Sequence, residues 1–151
     1  MPGTVALIVA AGRGVRAGGE IPKQYRVIGG TPVLRHTIAA FLSHPGIDRV
    51  VVTISADDSR YGNAAPQNST ALLPPVIGGE TRQESVRRGL EALADPAPER
   101  VLIHDGARPF VSAAVIGRVI EALDMAEAVI PALPVPATLK AVDDDGFITA
   151  T

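Results

Sequence analysis

A chain of 151 residues with 46% hydrophobic side chains is long enough to bury a real core, and with aromatics at only 3% that core is aliphatic, as in a parallel sheet flanked by helices. Sixteen acidic against fourteen basic residues leave a formal charge of −2, which excludes bulk attraction to nucleic acid polymers or membranes, and few aromatics are present to stack bases. Cysteine is absent, so disulfides, thiolate zinc sites and cysteine nucleophiles are excluded.

Residues 4–10 read as a first strand. The apolar run is too short to span a membrane and lacks the basic leader of a secretory signal, so a reducing, cytoplasmic setting is the default. The strand leads into Ala10-Ala11-Gly12-Arg13-Gly14-Val15-Arg16, followed by Pro22-Lys23-Gln24-Tyr25. Between positions 12 and 26 four positive charges (Arg13, Arg16, Lys23, Arg26) stand against one negative (Glu20), a local +3 that opposes the overall balance. Such a loop presents backbone N–H groups and charge to a small polyphosphate. Gly12-x-Gly14-x-x-Ala17 also fits the dinucleotide fingerprint. That fold needs a helix starting at once and an acidic residue about 20 positions on, whereas Gly18, Gly19 and Pro22 break the helix and position 32 opens a different one.

Thr31 reads as an N-cap with Pro32 at the first helical position, and Val33, Leu34, Ile38, Phe41 and Leu42 keep helical spacing until Pro45-Gly46. A second strand covers 49–54. Residues 57–61 form a short acidic turn or helix, 62–70 a polar surface loop, and Val76-Ile77 a short strand ending at Gly78-Gly79. Thr81-x-x-Glu84 is a capping box opening a helix with Val86, Leu90 and Leu93 on one face. Val101-Leu102-Ile103 is a buried strand ending at His104-Asp105-Gly106-Ala107-Arg108-Pro109. Ser112 caps a helix to about position 125, and Ala128-Val129-Ile130 is a further strand. The alternation gives an α/β fold of three layers, a mostly parallel sheet with helices on both faces. Residues 138–142 and 147–151 bracket Asp143-Asp144-Asp145-Gly146 as a protruding β-hairpin. The expected organisation is one domain over 1–151.

Ligands of open α/β sheets gather at the carboxyl ends of the strands, where the Gly12 loop, Gly78-Gly79-Glu80-Thr81-Arg82 and the Asp105 segment converge. Phosphate-binding glycines, a lone carboxylate and an arginine describe a site for a metal–nucleotide complex. Asp105 offers a hard oxygen to Mg²⁺, which takes one or two protein carboxylates and completes its shell with water and phosphate. His36 and His44 fall on or just beyond the first helix as surface residues. His104 lacks a second histidine at ligand spacing and is assigned to packing or hydrogen bonding. No serine sits on a glycine-flanked strand-to-helix elbow, so hydrolase chemistry has no support. The missing base is itself informative, because a phosphate monoester, with a second pKa of about 6, is already largely ionised at neutral pH. Its transfer reactions need neutralisation and alignment, which Arg16, Lys23 and Mg²⁺ can supply.

Ala10-Ala11-Gly12-x-Gly14-x-Arg16 with Pro22-Lys23-Gln24-Tyr25, then Gly78-Gly79-x-x-Arg82-x-x-Ser85-Val86, then His104-Asp105-Gly106-Ala107-Arg108-Pro109 together resemble the 2-C-methyl-D-erythritol 4-phosphate cytidylyltransferases of the non-mevalonate isoprenoid pathway. The resemblance runs from about Val5 to Thr151. It implies a Rossmann-like nucleotidyltransferase that joins CTP and methylerythritol phosphate with Mg²⁺, releasing pyrophosphate. It further implies that Arg16 and Lys23 grip the triphosphate and the transition state while the Gly12 and Gly14 loop wraps the phosphates. The backbone of Ala10 and Ala11, with Gly79, Glu80 and Ser85, would hold cytosine, and Asp105 would face ribose and metal. Arg108 and Thr138 would contact the acceptor phosphate, Thr138 from a partner subunit, since the family dimerises through a hairpin arm that here begins at 132–151. The family's further acceptor-binding and metal-binding residues have no counterpart, so the chain is expected to be a C-terminally truncated domain; some relatives also carry a fused cyclodiphosphate synthase. Two rival functions are a ribitol-phosphate cytidylyltransferase, which shares the early loop, and a non-catalytic nucleotide-binding or oligomerising module.

Overall fold

The computed structural model describes residues 3–12, 21–95 and 97–151. Strands β1 (Thr4–Val9), β4 (Arg49–Ile54), β5 (Val76–Ile77) and β6 (Arg100–Asp105) form one parallel sheet in the order β5-β4-β1-β6. Register is set by the apolar runs: Leu7 lies opposite Val51 on one side and Ile103 on the other, and Val9 opposite Asp105. Side chains alternate between the faces with the strand period of two. Ala6, Ile8 and Ala10 of the first strand and its exit join Val50, Val52 and Ile54 under Leu34, Ile38 and Phe41 of α1 (Val33–Leu42) and Ile116 of α4 (Ala113–Ala122). Val5, Leu7 and Val51 face the other way, against Leu93 and Val86 on the side of α3 (Arg82–Ala92). Helices on both faces of a parallel sheet are the three expected layers. Each fully buried large side chain, such as Phe41 or Leu34, contributes about 1.5–3 kcal/mol to holding them together.

The inward stripe of α3 differs from the expected one. Ser85 and Gly89 are buried, whereas Leu90 is 39% exposed. The helix lies so close to the sheet that a Cβ on Gly89 would stand 2.5 Å from a Leu7 methyl, so small residues fill the contact line.

Between the first strand and α1 the chain forms a 3-10 turn (Lys23–Tyr25) and an antiparallel pair, β2 (Val27–Ile28) with β3 (Thr31–Pro32). Pro32 is therefore the N-cap position and not the first helical residue, and Thr31 does not cap α1. The Arg26 carbonyl accepts the Val33 N–H at 2.9 Å, so main chain supplies what a capping side chain would.

The turn or helix expected over 57–61 is a turn, and the short helix α2 (Tyr61–Ala64) falls at the start of the expected surface loop; it is entered through Asp58, whose carboxylate accepts the N–H groups of Arg60 and Tyr61. The last main helix ends at Ala122, before position 125. Ala128-Val129-Ile130 is not a strand: no described strand pairs with it, and an apolar run becomes a strand only when a ladder takes up its N–H and C=O groups. The protruding hairpin forms, with shorter strands than expected, as β7 (Ala141–Val142) and β8 (Ile148–Ala150). Asp143 accepts the N–H groups of Asp145 and Phe147 in its turn, and Gly146 takes φ +87°. Among the described residues no helix is long and apolar enough to cross a membrane.

Candidate functional site

Strand order reverses on either side of β1, and the loops leaving neighbouring strands diverge there to open a cleft. Each loop is tied to the adjacent strand end. Ala10 N–H donates to Thr53 O, Gly78 N–H to Ile54 O and Gly106 N–H to Val9 O, all at 2.8 Å. The three segments singled out in the sequence therefore meet because parallel register makes them meet. Thr37 of α1 adds a buried hydroxyl that donates to Gly106 O at 3.1 Å.

The cleft has two connected lobes, of about 680 and 560 Å³, which share Gly12, Gly79 and Glu80. Ala11, Ser55, Asp57, Gly78 and Arg88 line the first; Ala10, Lys23, Gln24, Ser85, Asp105 and Arg108 are among those lining the second. Gly78 has no room for a side chain, since a Cβ would lie 2.6 Å from that of Ala11. Ala10, Ala11, Gly12, Lys23, Gly79, Glu80, Ser85, Asp105 and Arg108 thus share one cavity system. Gly14 and Arg16 lie outside the described residues. Thr138 lies exposed in the arm and lines neither lobe.

Lys23 is exposed and is followed by two buried anchors, Gln24 and Tyr25. The Gln24 amide donates to Ala10 O at 2.7 Å and to Gly12 O at 2.8 Å, and the Tyr25 hydroxyl donates to the Asp58 carboxylate. Burial, reinforced by Asp58, pushes the Tyr25 phenol well above its ordinary value, so it remains a donor. The 3-10 turn is held at both buried positions, and Lys23 is presented to the cleft.

Asp105 closes the other side. Its Oδ1 accepts from Arg82 Nε at 3.0 Å and its Oδ2 from Arg108 Nε at 2.8 Å. Partial burial raises its carboxyl, but the two arginines outweigh burial and hold it below the ordinary carboxylate value. It is ionised throughout the working range. Among the described residues no three acidic, His or Cys side chains gather as metal ligands. Asp105, with Glu80 also lining the second lobe, offers a hard oxygen that fits Mg²⁺ held jointly with phosphate oxygens, and the described residues do not build an all-protein cage. His104 packs on Phe41 with ring centroids 5.0 Å apart, and its buried Nδ1 has no hydrogen-bond partner among the described residues. Burial lowers its pKa, with Arg108 adding to burial and Asp105 opposing it; the ring packs as neutral imidazole.

Several residues of the cleft were given no individual role in the sequence, among them Arg82, Gln24 and Arg88. Arg82 carried a detectable signal, since a cation in the first turn of a helix opposes the helix dipole and invites another explanation. Gln24 carried none: its partners lie 14 and 12 positions away on another element.

Comparison with known proteins agrees with this fold. The family model described as 2-C-methyl-D-erythritol 4-phosphate cytidylyltransferase matches residues 4–151. A bifunctional enzyme IspD/IspF of Paramagnetospirillum magneticum is 52% identical over all of this chain and 39% of its own length. A 2-C-methyl-D-erythritol 4-phosphate cytidylyltransferase of Cereibacter sphaeroides is 49% identical over 87% of this chain and 59% of its own. The solved 4-diphosphocytidyl-2C-methyl-D-erythritol synthase of Anaerococcus prevotii superposes with a TM-score of 0.84 at 34% identity, over 99% of this chain and 63% of that one. The chain thus spans roughly two fifths to three fifths of the length of these relatives.

Proposed function

The chain belongs to the 2-C-methyl-D-erythritol 4-phosphate cytidylyltransferase family, and from that premise we propose that it transfers the cytidylyl group of CTP to 2-C-methyl-D-erythritol 4-phosphate, releasing pyrophosphate, in isoprenoid precursor synthesis. The observation that carries the reading is the meeting, in one cleft, of the Gly12 loop, Lys23, the Gly79-Glu80 backbone and Asp105 between its two arginines. On this reading cytosine lies against the backbone of Ala10, Ala11, Gly79 and Glu80 beside Ser85, and the triphosphate follows the loop through Gly12 and Gly14. An ionised phosphate oxygen of the acceptor attacks the α-phosphorus, the bond from that phosphorus to the bridging oxygen breaks, and pyrophosphate leaves. No base need remove a proton. Lys23 and Arg16 neutralise charge that grows on the non-bridging oxygens, where fixed cations act most strongly. Asp105 would hold Mg²⁺ together with phosphate oxygens, and bound Mg²⁺ would neutralise and orient the triphosphate. Arg108 and, from the arm of a second copy, Thr138 of the partner subunit would hold the acceptor phosphate. A cytoplasmic homodimer built through the exposed arm completes the proposal, and the water-soluble, charged substrates suit that setting.

Pyrophosphate release by the full chain tests it. Release is expected with CTP and methylerythritol phosphate, and Lys23→Ala should lower kcat by about 10² or more with a smaller effect on CTP affinity. Equal turnover with ATP or GTP would overturn the cytidine assignment. Preference for ribitol phosphate would overturn the acceptor, and nucleotide binding without release would indicate a non-catalytic module.

A further inference from the structure

We propose that Glu84 and Arg88 are positioning residues that brace the Gly78–Glu80 loop and thereby set the width of the nucleobase end of the cleft. The proposal rests on the nucleotide reading given above. One turn apart on α3, the two side chains pair at 2.6 Å, and each also reaches the loop. Arg88 Nη1 donates to Gly78 O at 2.8 Å while its Nη2 donates to Glu84 Oε1, and Glu84 Oε2 accepts the Glu80 N–H at 3.1 Å. The circuit runs from one end of the loop to the other, through a carbonyl acceptor and an N–H donor that a lone ion pair would not touch. The Glu80 N–H, then Arg88, pull the Glu84 carboxyl below its ordinary value, so the acceptor is charged at neutral pH. Between these grips Ser85 Oγ accepts the Gly79 N–H at 3.1 Å.

The loop cannot drift inward, because Gly78 is already in contact with Ala11. It can drift only outward, and Arg88 and Glu84 oppose that. Arg88 lines the lobe together with Ala11, Gly12, Gly79 and Glu80, so loosening the brace widens the slot between the first-strand exit and the loop. A wider slot loses contacts to a pyrimidine and admits a purine. Discrimination between bases, more than the chemical step, is the property at stake.

Arg88→Leu and Glu84→Gln in the full chain are expected to raise the KM for CTP more than they lower kcat. They should reduce the preference for CTP over ATP by about tenfold, the scale of coupling among residues in one network. Amide exchange at Gly79 and Glu80 should quicken in both. The charge-swapped double variant, Glu84→Arg with Arg88→Glu, separates a brace from a helix-stabilising pair. It keeps an i,i+4 attraction and should recover part of the melting temperature, the rest being lost because a cation then stands in the first turn of α3, yet it should not recover base preference, since arginine cannot accept the Glu80 N–H and glutamate cannot donate to Gly78 O. Wild-type preference in Arg88→Leu, or its recovery in the swapped variant, would overturn the proposal. Failure of the unaltered chain to bind CTP would overturn the nucleotide reading and the base discrimination with it, while unaltered exchange at Gly79 and Glu80 in the variants would overturn the brace.

Discussion

The Gln24 amide donates both of its hydrogens to main-chain oxygens, Ala10 O and Gly12 O, with the side chain 6% exposed. These are the last oxygens of the chain before the phosphate loop, so the amide holds the loop at its root. Methionine keeps the volume and loses the donors. Gln24→Met should lower unfolding free energy by about 1–3 kcal/mol, the penalty for leaving a buried carbonyl unpaired. Glutamate is isosteric but faces two oxygens with charge, and burial against acceptors raises a carboxyl pKa. A group with a raised folded pKa binds more protons when folded, so stability falls as pH rises from the unfolded value of about 4.3 through the folded one. Gln24→Glu should therefore be worse than Gln24→Met at pH 7.5, and the gap should narrow toward pH 5. Urea midpoints at the two pH values measure this; a gap independent of pH would mean the amide is not enclosed as described. None of this was legible along the chain, where Gln24 is one polar residue in a motif and its acceptors belong to the exit of β1.

The pair of strands β2 and β3 does locally what the sequence reading assigned to a helix cap. Gly29 and Gly30 take φ +58° and +79°, the positive pair of a two-residue type I′ turn, and a Cβ on either would meet nothing within 4 Å. Substitution there strains backbone alone. Gly30→Val should destabilise by about 1–2 kcal/mol, and Gly29→Asn, a residue that tolerates the left-handed region, by clearly less. Denaturant midpoints of the two variants check the order; equal losses would mean that crowding, and not φ, decides. Gly-Gly between Val27-Ile28 and Thr31-Pro32 was a hairpin signal available in the sequence. The sequence reading did not use it, because Thr31-Pro32 looks the same before a helix as it does at the end of a two-residue strand. For α3 the N-cap half of the capping box was legible, and Thr81 Oγ1 accepts the Glu84 N–H as the pattern requires, while the Glu84 side chain reaches past the N-cap to the Glu80 N–H. Its buried stripe was not, because a stripe of Ser85 and Gly89 has no hydrophobic period.

At the scale of the whole molecule the core and the arm obey different rules. Residues 131–151 are exposed throughout, with Leu133 at 89%, Phe147 at 71% and Ile148 at 63%. Two short strands alone are marginal in water, so the proposed dimer gives these side chains a place to bury. Sedimentation of the full chain is expected to show a dimer at micromolar concentration. Phe147→Asp with Ile148→Asp should shift it to monomer without lowering the melting temperature of the sheet, whereas an unshifted dimer would remove the arm from the interface. The same contrast separates what the sequence determined alone from what tertiary structure decided. Alternating apolar runs and helical periods, with glycines and cations after the first run, were sufficient for a parallel three-layer sheet and for a ligand cleft at its carboxyl edge. Those features depend on backbone period and on chemistry within a few residues. The partners of Asp105, the grip of Gln24, the circuit through Glu84 and Arg88, and the failure of residues 128–130 to become a strand depend on which groups the register brings within hydrogen-bonding distance. The contacts of Asp105 with Arg82, of Gln24 with Ala10 and Gly12 and of Arg88 with Gly78 join residues 10 to 23 positions apart through strand order and helix placement, which no local pattern encodes, whereas the Glu84–Arg88 pair has the i,i+4 spacing of a helix.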